Sequence, residues 1–122
     1  MAPYDPERKF GETIRELRQM KGIGLRKFAA MIGMSPTYLS RIERDEFSPP
    51  AEDRVVAIAS ALGQDPDELL ALAGRVASDL PEIIKRHPRE MATFIRSTTG
   101  LSADEIKRLA EEATRRRVRE DD

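Results

Sequence analysis

Apolar positions recur at helical spacing along the whole chain, and period-two alternation is sustained nowhere. Phe10, Ile14 and Leu17 stand at i, i+4 and i+7, which predicts a first helix from about Pro6 to Met20, stopped at Gly22. Phe28, Ala29 and Ile32 predict a second helix from Leu25 to Ile32, broken by Gly33. Ser35 then caps a third helix with Pro36 at its first position. The serine hydroxyl accepts an otherwise unpaired N–H, and proline has none to leave unpaired. Leu39 and Ile42 form the inner side of this helix, and Ser48-Pro49-Pro50 turns the chain. Val55, Ile58, Ala59 and Leu62 predict a fourth helix from about Ala51 to Leu62, ended by Gly63. Asp65-Pro66 opens a short fifth helix carrying Leu69, Leu70 and Leu72 before Gly74.

Residues 75–118 read as a separate helical extension. Leu80, Ile83 and Ile84 line one short helix, and His87-Pro88 breaks the chain. Met91, Phe94 and Ile95 line the next, from about Pro88 to Ser97, and Gly100 breaks it again. Ser102 followed by Glu105 is a capping-box start for a last helix with Ile106, Leu109, Ala110 and Ala113 on one face. Residues 119–122 are expected to form a disordered tail. The pattern as a whole is all-α: a five-helix domain over residues 1–74 and a helical extension over 75–118.

Composition narrows the chemistry. Cysteine is absent and His87 is the one histidine, so the chain cannot assemble a disulfide framework, a thiolate metal site or a histidine-based triad by itself. Its carboxylates fall mostly on helix surfaces and it has no glycine-rich phosphate loop, so neither an enzyme nor a cofactor is expected. No apolar run approaches the roughly 20 residues that span a membrane. The opening residues lack the apolar core of a signal peptide, and a cytoplasmic protein is expected.

The net charge of −1 conceals a strong pattern. Residues 1–7 carry −2, residues 8–44 carry +6, residues 45–82 carry −7 and residues 83–122 carry +2. A polyanion responds to potential within a Debye length of about 8–10 Å, so a basic face with an acidic back still attracts it.

The most informative arrangement is helix, glycine turn, capped helix. Two helices meeting at a sharp angle need a small residue at their contact, a glycine at the bend and a large apolar anchor on the second helix. Ala29, Gly33 and Leu39 meet those needs. The run GLRKFAAMIGMSPTYLSRIERDEFSPP resembles the helix-turn-helix of Xre/Cro-type repressors, and FGETIRELRQMKG and VVAIASALGQDPDELL resemble the helices that flank it in that family. The resemblance covers roughly residues 10–72 and implies a five-helix, lambda-repressor-like domain.

It also implies residue roles. The helix opening at Pro36 would be the recognition helix, with Pro36, Thr37, Ser40 and Arg41 facing base edges in the major groove. Arg41 is suited to a bidentate contact with guanine O6 and N7. Arg26, Lys27, Ser35, Tyr38 and Arg44 would meet phosphates. Arg18 and Glu43 match an internal salt bridge of the family. Three positions depart from the family pattern. Gly24-Leu25 stands where Thr-Gln is common. Asp45 stands where a glycine is common and, with Glu46, puts negative charge near the expected DNA edge.

One recognition helix reads few base pairs, so such regulators act as two-fold dimers on double-stranded DNA. The extension carries apolar faces on three short helices, and Leu80, Ile83, Ile84, Met91, Phe94, Ile95, Ile106 and Leu109 are the expected homodimer contacts. The alternatives are a monomeric cap over the fifth helix, or an antitoxin or protease-sensitive regulator whose extension binds a cognate toxin or metallopeptidase.

Overall fold

The computed structural model describes residues 4–121 and contains, among them, eight α-helices and no strand. They are α1 (Phe10–Met20), α2 (Leu25–Met31), α3 (Pro36–Glu43), α4 (Glu52–Leu62), α5 (Pro66–Leu72), α6 (Asp79–Arg86), α7 (Pro88–Ser97) and α8 (Ala103–Asp121). The chain divides into two units, one through Ser78 and one from Asp79.

In the first unit α1 packs on α3 and α4, α2 on α3, and α4 on α5. The apolar stripes of all five helices converge on one core, in which Ile14, Phe28, Leu39, Ile42, Val55, Ile58, Leu62, Leu69 and Leu70 are almost wholly enclosed. Each such side chain contributes about 1.5–3 kcal/mol of transfer free energy. Local start signals act as the sequence suggests. Ser35 Oγ accepts the Tyr38 N–H at 3.1 Å, and Asp65 Oδ1 accepts the N–H groups of Asp67 and Glu68. Gly63 ends α4 in the left-handed region, at φ 67°.

Two boundaries of the first unit differ from the sequence reading. α1 begins at Phe10 rather than near Pro6, because Asp5 Oδ1 takes the Glu7 N–H at 2.9 Å and folds residues 5–8 into a turn. The first unit runs past residue 74. Arg75 Nη2 donates to the Pro49 carbonyl, the Ser78 N–H donates to Glu52 Oε1 at 2.7 Å, and Ala77 packs on the core. Those ties lie more than twenty residues apart in sequence, so no local pattern reveals them.

In the second unit α6 packs against α7. α8 opens with a reciprocal capping box, in which Ser102 Oγ accepts the Glu105 N–H and Glu105 Oε1 accepts the Ser102 N–H. α8 continues through residues 119–121, where the sequence suggests a disordered tail, while Asp122 lies outside the described residues. Glu112 pairs with Arg115 and Arg116 at 3.1 Å each, one turn on, and supports the extra length. Those hydrogen bonds hold the Glu112 carboxyl below its ordinary pKa, Arg116 first and Arg115 second. No described side chain of this unit is buried. Leu80, Ile83, Phe94, Ile95, Ile106 and Leu109 are exposed, and Ile84 and Met91 are half-buried. Among the described residues no helix is long and apolar enough to cross a membrane.

Candidate nucleic-acid interface

The bend between α2 and α3 is made by residues 32–35. Gly33 adopts φ +67°, and α3 leaves the bend capped by Ser35. Leu39, Ile42 and Glu43 hold the inner side of α3 in the domain. The opposite side is set by the 100° step of the helix. It carries Thr37, Arg41 and Arg44, all exposed, with Ser40 half-buried at its edge, while Pro36, exposed at the first position of the helix, stands nearer the Glu43 side. Tyr38 is exposed on the flank. Arg26 and Lys27 are exposed on α2. The Ser35 hydroxyl is engaged as the α3 cap but keeps its own proton to donate.

The inner side is fixed by a buried ion pair. Arg18 is 8% exposed and Glu43 5%. Arg18 Nε donates to Glu43 Oε2 at 2.7 Å and Nη2 to Oε1 at 2.9 Å, a bidentate fork, while Nη1 donates to the Ile23 carbonyl at 2.8 Å. The guanidinium thus joins α1, the α1–α2 loop and the end of α3. Hydrogen bonding to Glu43 raises the Arg18 pKa above its ordinary value, against the opposing effect of burial.

The segment after α3 carries the acidic residues that stand near the expected DNA edge. Asp45 adopts the left-handed region at φ 57°, the one described non-glycine residue to do so. Its carboxylate is turned onto the start of α1, accepting the Gly11 N–H at 2.8 Å and the Glu12 N–H at 3.2 Å. Its charge therefore meets the positive end of a helix rather than standing free. Glu46 lies 3.4 Å from Arg44 Nη1 and 4.0 Å from Arg41 Nη1. Phe47 folds back along α3, with its ring centroid 5.8 Å from that of Tyr38 and 5.4 Å from Arg41 Cζ.

Residues 14–69 match the helix-turn-helix family. SinR, the master regulator for biofilm formation, in its complex with DNA, is 30% identical over 50% of this chain and 97% of its own, with a TM-score of 0.47. The P22 c2 repressor, in complex with a synthetic operator, is 32% identical over 51% of this chain and 92% of its own, with a TM-score of 0.47. ClgR, the clp gene regulator of C. glutamicum, is 32% identical over 63% of this chain and all of its own, with a TM-score of 0.47. The chain belongs to the Xre-type helix-turn-helix family. No curated protein matches it.

Sequence reasoning missed three parts of this Xre-type domain. Gly11 is buried where α1 meets the end of α3, and a Cβ there would lie 2.1 Å from the Ile42 carbonyl oxygen. Arg54, from α4, donates through Nη1 to the carbonyls of Ile32 and Gly33, each at 2.7 Å, and so ties the bend between the two motif helices. Arg15 lines, with Leu25, Ser40 and Arg44, a shallow cleft beside the Arg18–Glu43 pair. Helical spacing places Arg15 on the same side of α1 as Arg18 and could have marked it.

Proposed function

We propose that the protein is a sequence-specific transcriptional repressor that binds an inverted-repeat operator as a homodimer. The observation that carries the reading is the exposed outer side of α3, where Thr37 and Arg41 stand clear of the core and are flanked by further cations. Arg41 then pairs with guanine, and Thr37 and Ser40 meet neighbouring base edges beside Pro36. Arg44, Arg26, Lys27, Ser35 and Tyr38 grip the phosphates, and Arg15 joins them across the shallow cleft it shares with Arg44. The net charge of +6 over residues 8–44 favours the encounter, although the whole chain carries −1.

The proposed partner of the second unit is a second copy. A unit of this length in which no described side chain is buried lacks the core to hold itself together, and most of its large apolar residues are exposed, on all three helices. Leu80, Ile83, Ile84, Met91, Phe94, Ile95, Ile106 and Leu109 supply the contact. A two-fold pair then sets the half-sites about one helical turn, ~34 Å, apart.

Selection of bound genomic fragments by the full-length protein, followed by titration on the selected operator, tests the DNA reading. Arg41→Ala is expected to lose about 1–3 kcal/mol on that operator and to relax one base pair. Arg44→Ala is expected to weaken all sequences alike and to lower the salt slope by about one. Equal operator affinity for Arg41→Ala and the parent removes the base contact, and absence of salt-sensitive binding to any duplex ends the regulator reading.

Light scattering tests the assembly. The full chain is expected at twice its 13.8 kDa mass. The first unit alone, residues 1–78, is expected as a monomer. A dimer that survives the truncation overturns the assignment. A full chain that stays monomeric instead favours a companion protein, such as a toxin or a peptidase, on the same apolar faces.

A further inference from the structure

Phe47 is 44% exposed, although it is one of only four phenylalanines in the chain. Its position follows from the backbone around it. The Asp45 N–H donates to the Ile42 carbonyl and the Glu46 N–H to the Arg41 carbonyl, each at 3.0 Å, as the chain leaves α3. The left-handed turn at Asp45 then reverses direction, and the Asp45 carboxylate pins that turn to α1. Phe47 is thereby returned alongside Tyr38 in the first turn of the recognition helix, with the Arg41 guanidinium over its ring.

We propose that Phe47 is a positioning residue for Arg41, fixing the orientation of the guanidinium and so setting the preference for the base pair that Arg41 meets. The inference rests on the operator reading above. A free arginine samples many rotamers, and ordering it on binding weakens the contact it makes. A ring against one face restricts that sampling and leaves the in-plane N–H edge open, the edge that pairs with guanine O6 and N7. Glu46 holds the same guanidinium only loosely, at 4.0 Å, and DNA phosphates repel its carboxylate. The uncharged ring suffers no such repulsion, so it is the contact that persists in the complex.

The test uses the full-length protein, its selected operator and single base-pair variants of that operator. Phe47→Leu is expected to weaken operator binding about two- to fivefold without changing the melting temperature. The loss should fall at the base pair that Arg41→Ala relaxes. Phe47→Tyr should bind as the parent does, and Phe47→Leu should cost nothing further in an Arg41→Ala background. In the DNA-free protein, the Arg41 side-chain protons should show an upfield ring-current shift that Phe47→Leu abolishes. Three results overturn the inference alone: an absent ring-current shift, an equal Phe47→Leu loss with and without Arg41, or a Phe47→Tyr variant no better than Phe47→Leu. An Arg41→Ala variant with parental affinity removes the operator contact, and the positioning role with it.

Discussion

Glu43→Ala is expected to remove about 3–5 kcal/mol of folding stability, measured as a fall in the urea midpoint at unchanged slope. The carboxylate it deletes is the bidentate partner of a guanidinium that is 8% exposed. Arg18 would keep only the Ile23 carbonyl, and a cation with little water and one neutral acceptor is a costly state. Small domains are stable by roughly 5–15 kcal/mol, so the variant stands near the edge of folding. Replacing both partners, Arg18→Met with Glu43→Leu, is expected to recover most of the loss. Matched apolar groups need no desolvated charge to be compensated. A loss under about 1 kcal/mol for Glu43→Ala would mean that the pair behaves as an exposed one, and the account of how α1 holds α3 would fail.

Gly11→Ala is expected to destabilise the first unit by about 1–3 kcal/mol, an unusual result for glycine to alanine inside a helix. In most helices that change stabilises, because glycine pays more backbone entropy. Here the added methyl would stand 2.1 Å from the Ile42 carbonyl oxygen and 2.7 Å from Asp45 Oδ1, so α1 must move off α3. The displacement also strains the Gly11 N–H bond to Asp45 and loosens the turn that carries Phe47. Gly24→Ala is the control, since a Cβ there meets nothing within 4 Å. Thermal melts of the two variants check the contrast. An unchanged melting point for Gly11→Ala would show that the close approach of α1 to α3 is not required.

These two positions mark where the sequence is readable and where it is not. The start of α3 is legible because Ser35 accepts an N–H three residues on and Pro36 brings none of its own to leave unpaired. The same holds for Asp65 at α5 and for the Ser102–Glu105 box at α8. Helical periodicity picks out the core because burial follows the 3.6-residue repeat. The candidate interface is legible to the same depth, since residues on the outer side of α3 are those left over when Leu39 and Ile42 point inward. The family resemblance supplied Arg18 and Glu43 as partners across 25 residues, which no local pattern offers. Asp45 needed the fold. A carboxylate two residues past a helix reads as loose negative charge until the start of α1, thirty-four residues earlier, is seen to meet it. Arg54 and Phe47 were hidden for the same reason, because their partners are brought close only by the packing of α4 and by the reversal at Asp45.

The two sides of α3 answer to different demands. Leu39, Ile42 and Glu43 are committed to the interior, whereas Thr37, Arg41 and Arg44 carry no part of it. Exchange of those outward side chains leaves the folding of the rod untouched. On the proposed operator reading, a lineage built on this plan can drift from one target to another by surface substitutions alone, keeping its architecture while its vocabulary changes.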